Sequence, residues 1–155
     1  MPIEFVSGDL FVNRYRAEAL AHGCNCAGSM GAGIAVGFKQ RYPAMFEEFR
    51  RRCRAKPPEF SLGGVLFWRE EGKPGVFNLA TQSRPGRGAT YPIVETALRT
   101  LREQADAEGV KSIAMPRIAA GYGGLSWNKV RALIEAVFAD WSGVVYVYEE
   151  FCDEE

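Results

Sequence analysis

The sequence predicts an α/β sandwich, with helices on both faces of a mostly parallel, partly mixed sheet. Three observations predict it. Short β-leaning runs alternate with stretches of helical spacing along the whole chain. Two glycine-rich loops each follow a strand and run into a helix. There is no internal repeat, no low-complexity linker and no apolar run near the ~20 residues of a membrane span. One domain over residues 1–155 is therefore expected.

The elements follow in order. Ile3 to Val6 is a short strand that ends in Ser7-Gly8-Asp9-Leu10. Ala17 to His22 reads as a buried strand entering the first glycine loop. Gly33 to Gln40 has helical spacing, with Ile34, Gly37 and Phe38 on one side. Pro43 can open the next helix at its first turn. Its apolar stripe is Met45, Phe46 and Phe49, and arginines close its C-terminal end, where cations suit the dipole. Val65–Trp68 and Val76–Leu79 are two strands joined by the turn signal Glu71-Gly72-Lys73-Pro74-Gly75. Ser83 to Gly88 is a loop. Pro92 to Ala107 is an amphipathic helix through Ile93, Ala97, Leu98 and Leu101, with Gly109 just past its end. Ser112 to Met115 is a buried strand, and Pro116 to Gly124 the second glycine-rich loop. Ser126 can cap a helix whose apolar positions are Val130, Leu133, Ile134, Val137 and Phe138. Val144 to Tyr148 is a last strand, all β-branched or aromatic.

Composition narrows the function classes. Lys+Arg and Asp+Glu balance at 19 each, which argues against polyanion binding by bulk charge. Arg50, Arg51, Arg52, Arg54 and Lys56 form a basic knot, and Glu149, Glu150, Asp153, Glu154 and Glu155 an acidic tail. Both read as solvated surface; only the arginines could form a patch for a charged macromolecule. Met1-Pro2-Ile3-Glu4 lacks the basic start and long apolar run of a signal peptide, so cytoplasm, with reduced thiols, is expected. Cys24-x-Cys26 beside His22 lacks a second ligand pair. Near-core thiols are expected there rather than a metal.

The two loops carry the chemistry. Gly28-Ser29-Met30-Gly31-Ala32-Gly33 runs into one helix, and Ile118-Ala119-Ala120-Gly121-Tyr122-Gly123-Gly124 into another. Such turns expose successive N–H groups and a positive dipole end, which bind phosphate oxygens without a cationic side chain. Neither has the Gly-Lys-Ser/Thr of a nucleoside-triphosphate loop. Tight helix–strand packing is the alternative for either loop alone. Both at one sheet edge, where α/β folds bind ligands, favour a ligand. Asp9 offers a carboxylate to an exocyclic amine such as adenine's, or is a turn residue. Asn25 offers an amide to a sugar hydroxyl, or is a turn residue. Tyr146 and Tyr148 pack with wet hydroxyls, or one of them stacks on a base.

Together these residues resemble the macrodomain family over nearly the whole chain. The matching stretches are Gly8-Asp9-Leu10-Phe11, Leu20-Ala21-His22, Asn25 through Ala35 with Phe38-Lys39, Asn78-Leu79-Ala80-Thr81-Gln82, Met115-Pro116-Arg117-Ile118, and Gly121 through Trp127. Met-Gly-x-Gly-Ile-Ala followed by Phe-Lys resembles the branch of the terminal ADP-ribose protein glycohydrolase and the antitoxins that remove ADP-ribose from DNA. The resemblance implies a three-layer α/β/α fold that binds ADP-ribose. It implies that Asp9, with Leu10 beside it, takes the adenine amine. Met30, Gly31, Ala32, Gly33 and Ile34 would hold the diphosphate and distal ribose, and Ile118, Ala119, Ala120, Gly121, Tyr122 and Gly123 would close the other side. Asn25, Thr81 and Gln82 would lie near the distal ribose, and Tyr148 near adenine.

The departure concerns mechanism. Glycohydrolases of this branch use a lysine at the position of Gln82 and an aspartate at that of Gly123. Glutamine forms no Schiff base and glycine moves no proton. Two readings follow. One is an ADP-ribosyl hydrolase without the usual lysine and aspartate, in which Asn25 holds a water. The other is a non-catalytic ADP-ribose reader. Either expects ADP-ribose as ligand or product with no further cofactor or metal. Both expect ADP-ribosylated protein or nucleic acid as partner, no membrane, and a monomer.

Overall fold

The computed structural model describes residues 2–86, 88–121 and 123–154. Among them the chain runs β1 (Ile3–Gly8), β2 (Ala19–Asn25), α1 (Ile34–Arg41), α2 (Pro43–Arg54), β3 (Val65–Trp68), β4 (Gly75–Gln82), α3 (Tyr91–Glu108), β5 (Ser112–Met115), α4 (Trp127–Phe138) and β6 (Val144–Phe151). The strands form one sheet in the order β1-β6-β5-β2-β4-β3. Every neighbouring pair is parallel except β3 with β4, so the sheet is mixed and mostly parallel, as expected.

Side-chain alternation splits the core into two layers. On β2, Ala19 and Ala21 join the cluster under α3 and α4, while Leu20 and Cys24 join the one under α1 and α2. On β4, Phe77 and Leu79 face the first cluster, Val76 and Ala80 the second. All eight β4 residues are buried, which is what a strand covered on both faces requires.

Several ends follow from local chemistry. Gly109 takes a left-handed conformation (φ 73°) and stops α3, and the Val110 N–H returns to the Ala105 carbonyl at 2.8 Å. Ser126 precedes α4 but makes no side-chain cap, and its main-chain N–H donates to the Tyr91 hydroxyl at 3.0 Å. The eight-residue α1 is too short to stand alone in water. It is held by Phe38, fully buried, stacked on His22 at 3.9 Å and edge-on to Phe11 at 4.8 Å. Removing such a ring costs about 3–5 kcal/mol, so this contact fixes where the first glycine loop ends.

Sheet order explains why two distant loops meet. β2 and β5 are neighbours, yet they pair only at Ala19–Ile113 and Leu20–Ala114. β5 ends at Met115 while β2 continues to Asn25. The segment after β2 leads to α1 on one face, and the segment after β5 leads to α4 on the other. That divergence is a topological switch point, and it opens a crevice beyond the carboxyl ends of the strands.

Candidate functional site

A cavity of about 870 Å³ occupies that crevice. Its volume lies in the ~300–1,000 Å³ range of small-ligand sites. The wall takes Asn25, Ser29, Met30, Gly31, Ala32, Gly33, Ile34 and Ala35 from the first loop and the start of α1. Pro116, Arg117, Ile118, Ala119, Ala120, Gly121 and Gly123 come from the second loop. Thr81 and Gln82 form the floor at the end of β4, with Pro85 and Gly86 beside them. Tyr122 lies outside the described residues.

The first loop is braced by a side chain. Asn25 Oδ1 accepts from the N–H of Ala27 at 2.9 Å and of Ser29 at 3.3 Å, and Asn25 Nδ2 donates to the Ser29 carbonyl at 2.9 Å. Asn25 therefore shapes the loop and lines the cavity at once. Gly33 then turns the chain into α1 at φ 61°, ψ −149°, a region open essentially to glycine.

The second loop is braced by its own main chain. Ala120 N–H donates to the Arg117 carbonyl at 3.3 Å, Gly124 N–H to that of Gly121 at 3.2 Å, and Leu125 N–H to that of Ala119 at 3.1 Å. Ala119 is left-handed (φ 62°), a conformation that costs a side-chain-bearing residue about 1–2 kcal/mol. A Cβ on Gly123 would strike the Ala119 carbonyl oxygen and lie 2.8 Å from the Ala119 Cα. A Cβ on Gly121 would meet nothing within 4 Å.

The functional consequence is a set of free donors. Among the described residues, the N–H groups of Gly31, Ala32, Gly33 and Ile34 in one loop, and of Ala119 and Gly121 in the other, have no hydrogen-bond partner in the protein. Main-chain donors of this kind need water or a ligand. Their convergence on one cavity, at the start of α1, suits a multiply charged oxyanion such as a diphosphate.

Charged side chains add little. Among the described wall residues, Arg117 alone is charged, and its Nε donates away to the Glu149 carbonyl. The wall carries no carboxylate, lysine or histidine among those residues. Cys24 reaches the wall, but burial pushes its thiol well above the ordinary range and keeps it neutral. Gln82 is nearly buried, and its Nε2 donates to the Arg84 carbonyl at 3.0 Å. Thr81 is fully buried, with its hydroxyl 3.4 Å from the Cys24 carbonyl. His22 sits behind the wall, fully buried, 2.7 Å from Asn78 Oδ1, and burial lowers its pKa to about 4. It is a neutral packing residue. Cys24 and Cys53 are buried and Cys26 half-buried, while Cys152 is exposed.

Asp9, Leu10 and Tyr148 stand apart from this wall. They gather where β1 and β6 end, beyond the cavity. Asp9 Oδ1 accepts from the Phe11 N–H at 2.9 Å, and the Tyr148 hydroxyl is buried with no partner. Glu154 reaches this corner. Its carboxylate accepts from the Asp9 N–H at 2.8 Å and pairs with Arg14 at 3.0 Å. The acidic tail is thus not all solvated, because the Glu154 side chain is only 14% exposed. Glu149 also leaves solvent, accepting from Trp127 Nε1 at 2.8 Å and Arg131 at 2.7 Å. Phe151, 71% exposed and in register with Gly8, is an aromatic at the same corner that sequence reading missed. Its only signal was an apolar residue inside an acidic run. The basic knot is surface: Arg51 and Arg52 pair with Glu48, and Arg51 also with Glu59.

Comparison with known proteins agrees with this geometry. Residues 21–134 match the Macro domain family. A DNA ADP-ribosyl glycohydrolase of Mycobacterium tuberculosis is 31% identical over 150 residues, covering 93% of this chain and 42% of that protein. The chain thus spans less than half the length of that relative. The human ADP-ribose glycohydrolase OARD1 is 31% identical over 146 residues, covering 94% of this chain and 90% of that one. The solved macrodomain of Mycobacterium tuberculosis DarG superposes with a TM-score of 0.84 at 29% identity, covering 96% of each chain.

Proposed function

The chain belongs to the Macro domain family, and on that premise we propose that it binds ADP-ribose between its two glycine loops and removes ADP-ribose from modified protein or nucleic acid. The observation that supports the reading is the pair of loops that line one cavity and carry main-chain N–H groups with no protein partner among the described residues. Relatives named as ADP-ribosyl glycohydrolases support the hydrolytic half.

The route differs from attack by a lysine. Gln82 has no nucleophilic amine, and Gly123 has no space for an aspartate in the present loop. Hydrolysis at the anomeric carbon passes through an oxocarbenium-like state. Two contributions remain. One is a water held beside the distal ribose by an amide of Asn25 or Gln82 together with a substrate phosphate oxygen. The other is strain of that ribose between the loops, supplied by binding of the remote diphosphate. Without a wall residue to protonate the leaving group among the described residues, turnover is slow and restricted to good leaving groups, such as a carboxylate or a base nitrogen.

A second reading, a reader that binds and does no chemistry, is favoured by the uncharged floor at Thr81 and Gln82. One experiment separates the two. The protein is incubated with a panel of ADP-ribosylated proteins and oligonucleotides, and free ADP-ribose is followed. Release from one linkage class is the expected outcome. Tight binding with no release from any class would establish the reader instead.

A further inference from the structure

We propose that the Glu154 carboxylate is a displaceable latch on the purine end of this site, so that its seated position and a bound adenine exclude one another. The inference rests on the ADP-ribose reading above and concerns how that site is opened.

Four observations meet at the corner. The cavity ends before Asp9 and Tyr148, although both lie at the same sheet edge as the glycine loops. Glu154 sits at this corner, with its carboxylate on the Asp9 N–H. Its Oε2 would lie 2.7 Å from a Cβ on Gly8, so it sits there only because Gly8 has none. The strap that delivers it is continuous with β6, since the Cys152 N–H donates to the Gly8 carbonyl at 3.1 Å. Finally, the Tyr148 hydroxyl is buried without a partner, in a residue only 5% exposed. With Glu154 seated, that polar atom has no partner among the described residues. A purine nucleoside, with ring nitrogens and sugar hydroxyls, offers it a partner.

The seat is well placed but lightly held. Glu154 has one main-chain donor and one arginine, and Arg14 is 51% exposed, so water screens the pair. Seated, the carboxylate sets a second negative charge beside Asp9, against an anionic ligand. Released, it frees the Asp9 N–H and the space before Gly8. Apparent affinity then equals intrinsic affinity multiplied by the fraction of molecules with the latch open.

The test is calorimetry on the wild type and on Glu154→Ala with ADP-ribose, AMP and ribose 5-phosphate. Glu154→Ala is expected to tighten ADP-ribose and AMP by about 3- to 10-fold, the factor for a seat occupied in most molecules, and to leave ribose 5-phosphate unchanged. Glu154→Gln keeps an acceptor for the Asp9 N–H but loses the ion pair, and should fall between. Unchanged or weaker binding of ADP-ribose by Glu154→Ala overturns the latch while the ADP-ribose reading stands. An equal gain for all three ligands also overturns it, because general charge repulsion would then explain the effect. If neither protein binds ADP-ribose at millimolar concentration, the ADP-ribose reading fails and the latch falls with it.

Discussion

The two glycine loops do the same job by different means. The first is held by one side chain, Asn25, which satisfies two N–H groups and a carbonyl of its own turn. The second is held by main-chain bonds, with Gly123 seated against Ala119. Both line the cavity and leave main-chain donors without a protein partner among the described residues. The lesson is that an oxyanion cradle needs fixed N–H groups, and the chain can fix them with a side chain or with close main-chain packing. The difference also bears on position 123, where a loop packed this closely has no space for an aspartate.

The comparison can be broken in order of expected effect. Gly121 has open space around its missing Cβ, so Gly121→Val fills the cavity without disturbing the loop. ADP-ribose affinity should fall more than about 100-fold, or about 3 kcal/mol, while the melting temperature stays within a degree or two. Calorimetry and thermal unfolding check both halves. Gly123→Asp supplies the acid that the family resemblance expects there but drives a Cβ into Ala119. Here binding and stability should fall together, by about 1–3 kcal/mol for the overpacked loop. A gain of rapid hydrolysis, especially with Gln82→Lys, would show that the loop relaxes and that the close packing does not matter.

Asn25→Ala tests the other brace. Two N–H groups lose their acceptor, at about 1–3 kcal/mol of destabilisation for whichever of them water fails to reach. Binding should weaken about tenfold through disorder of the first loop alone. Equal affinity, with intact release of ADP-ribose, would reduce Asn25 to an ordinary turn residue.

The smallest effect lies behind the cavity. His22 is buried neutral, with its pKa lowered to about 4 from 6.5. The unfolded chain therefore binds one more proton than the folded one between those values. Stability is full above pH 6.5 and is lost as pH falls toward 4, by up to about 3 kcal/mol. Between pH 6.5 and 5 most carboxylates are still ionised, so the decline in melting temperature there reports His22. A flat profile over that window would mean the ring is not buried neutral.

How much of this was legible depends on where the cause lies. The strands and helices were readable because apolar spacing and punctuation are local, as at Pro43 and Gly109. The loops were readable because two glycine-rich turns, each between a strand and a helix, fall at one sheet edge. Contacts between distant residues were hidden. Nothing in the run Glu149 to Glu155 tells which carboxylate folds back onto Asp9 and which stays in water. The close fit of Gly123 to Ala119 was equally invisible, because Ala119 reads as an ordinary small residue until its φ of 62° is known. Ser126 shows the converse: a good local cap signal makes no side-chain cap, although its main-chain N–H finds the Tyr91 hydroxyl of another helix.

The most direct measurement is a crystal structure with ADP-ribose bound. The account predicts pyrophosphate oxygens within about 3 Å of main-chain nitrogens from both residues 31–34 and residues 119–121. A diphosphate held by one loop only, or by arginine side chains outside the cavity, would contradict it.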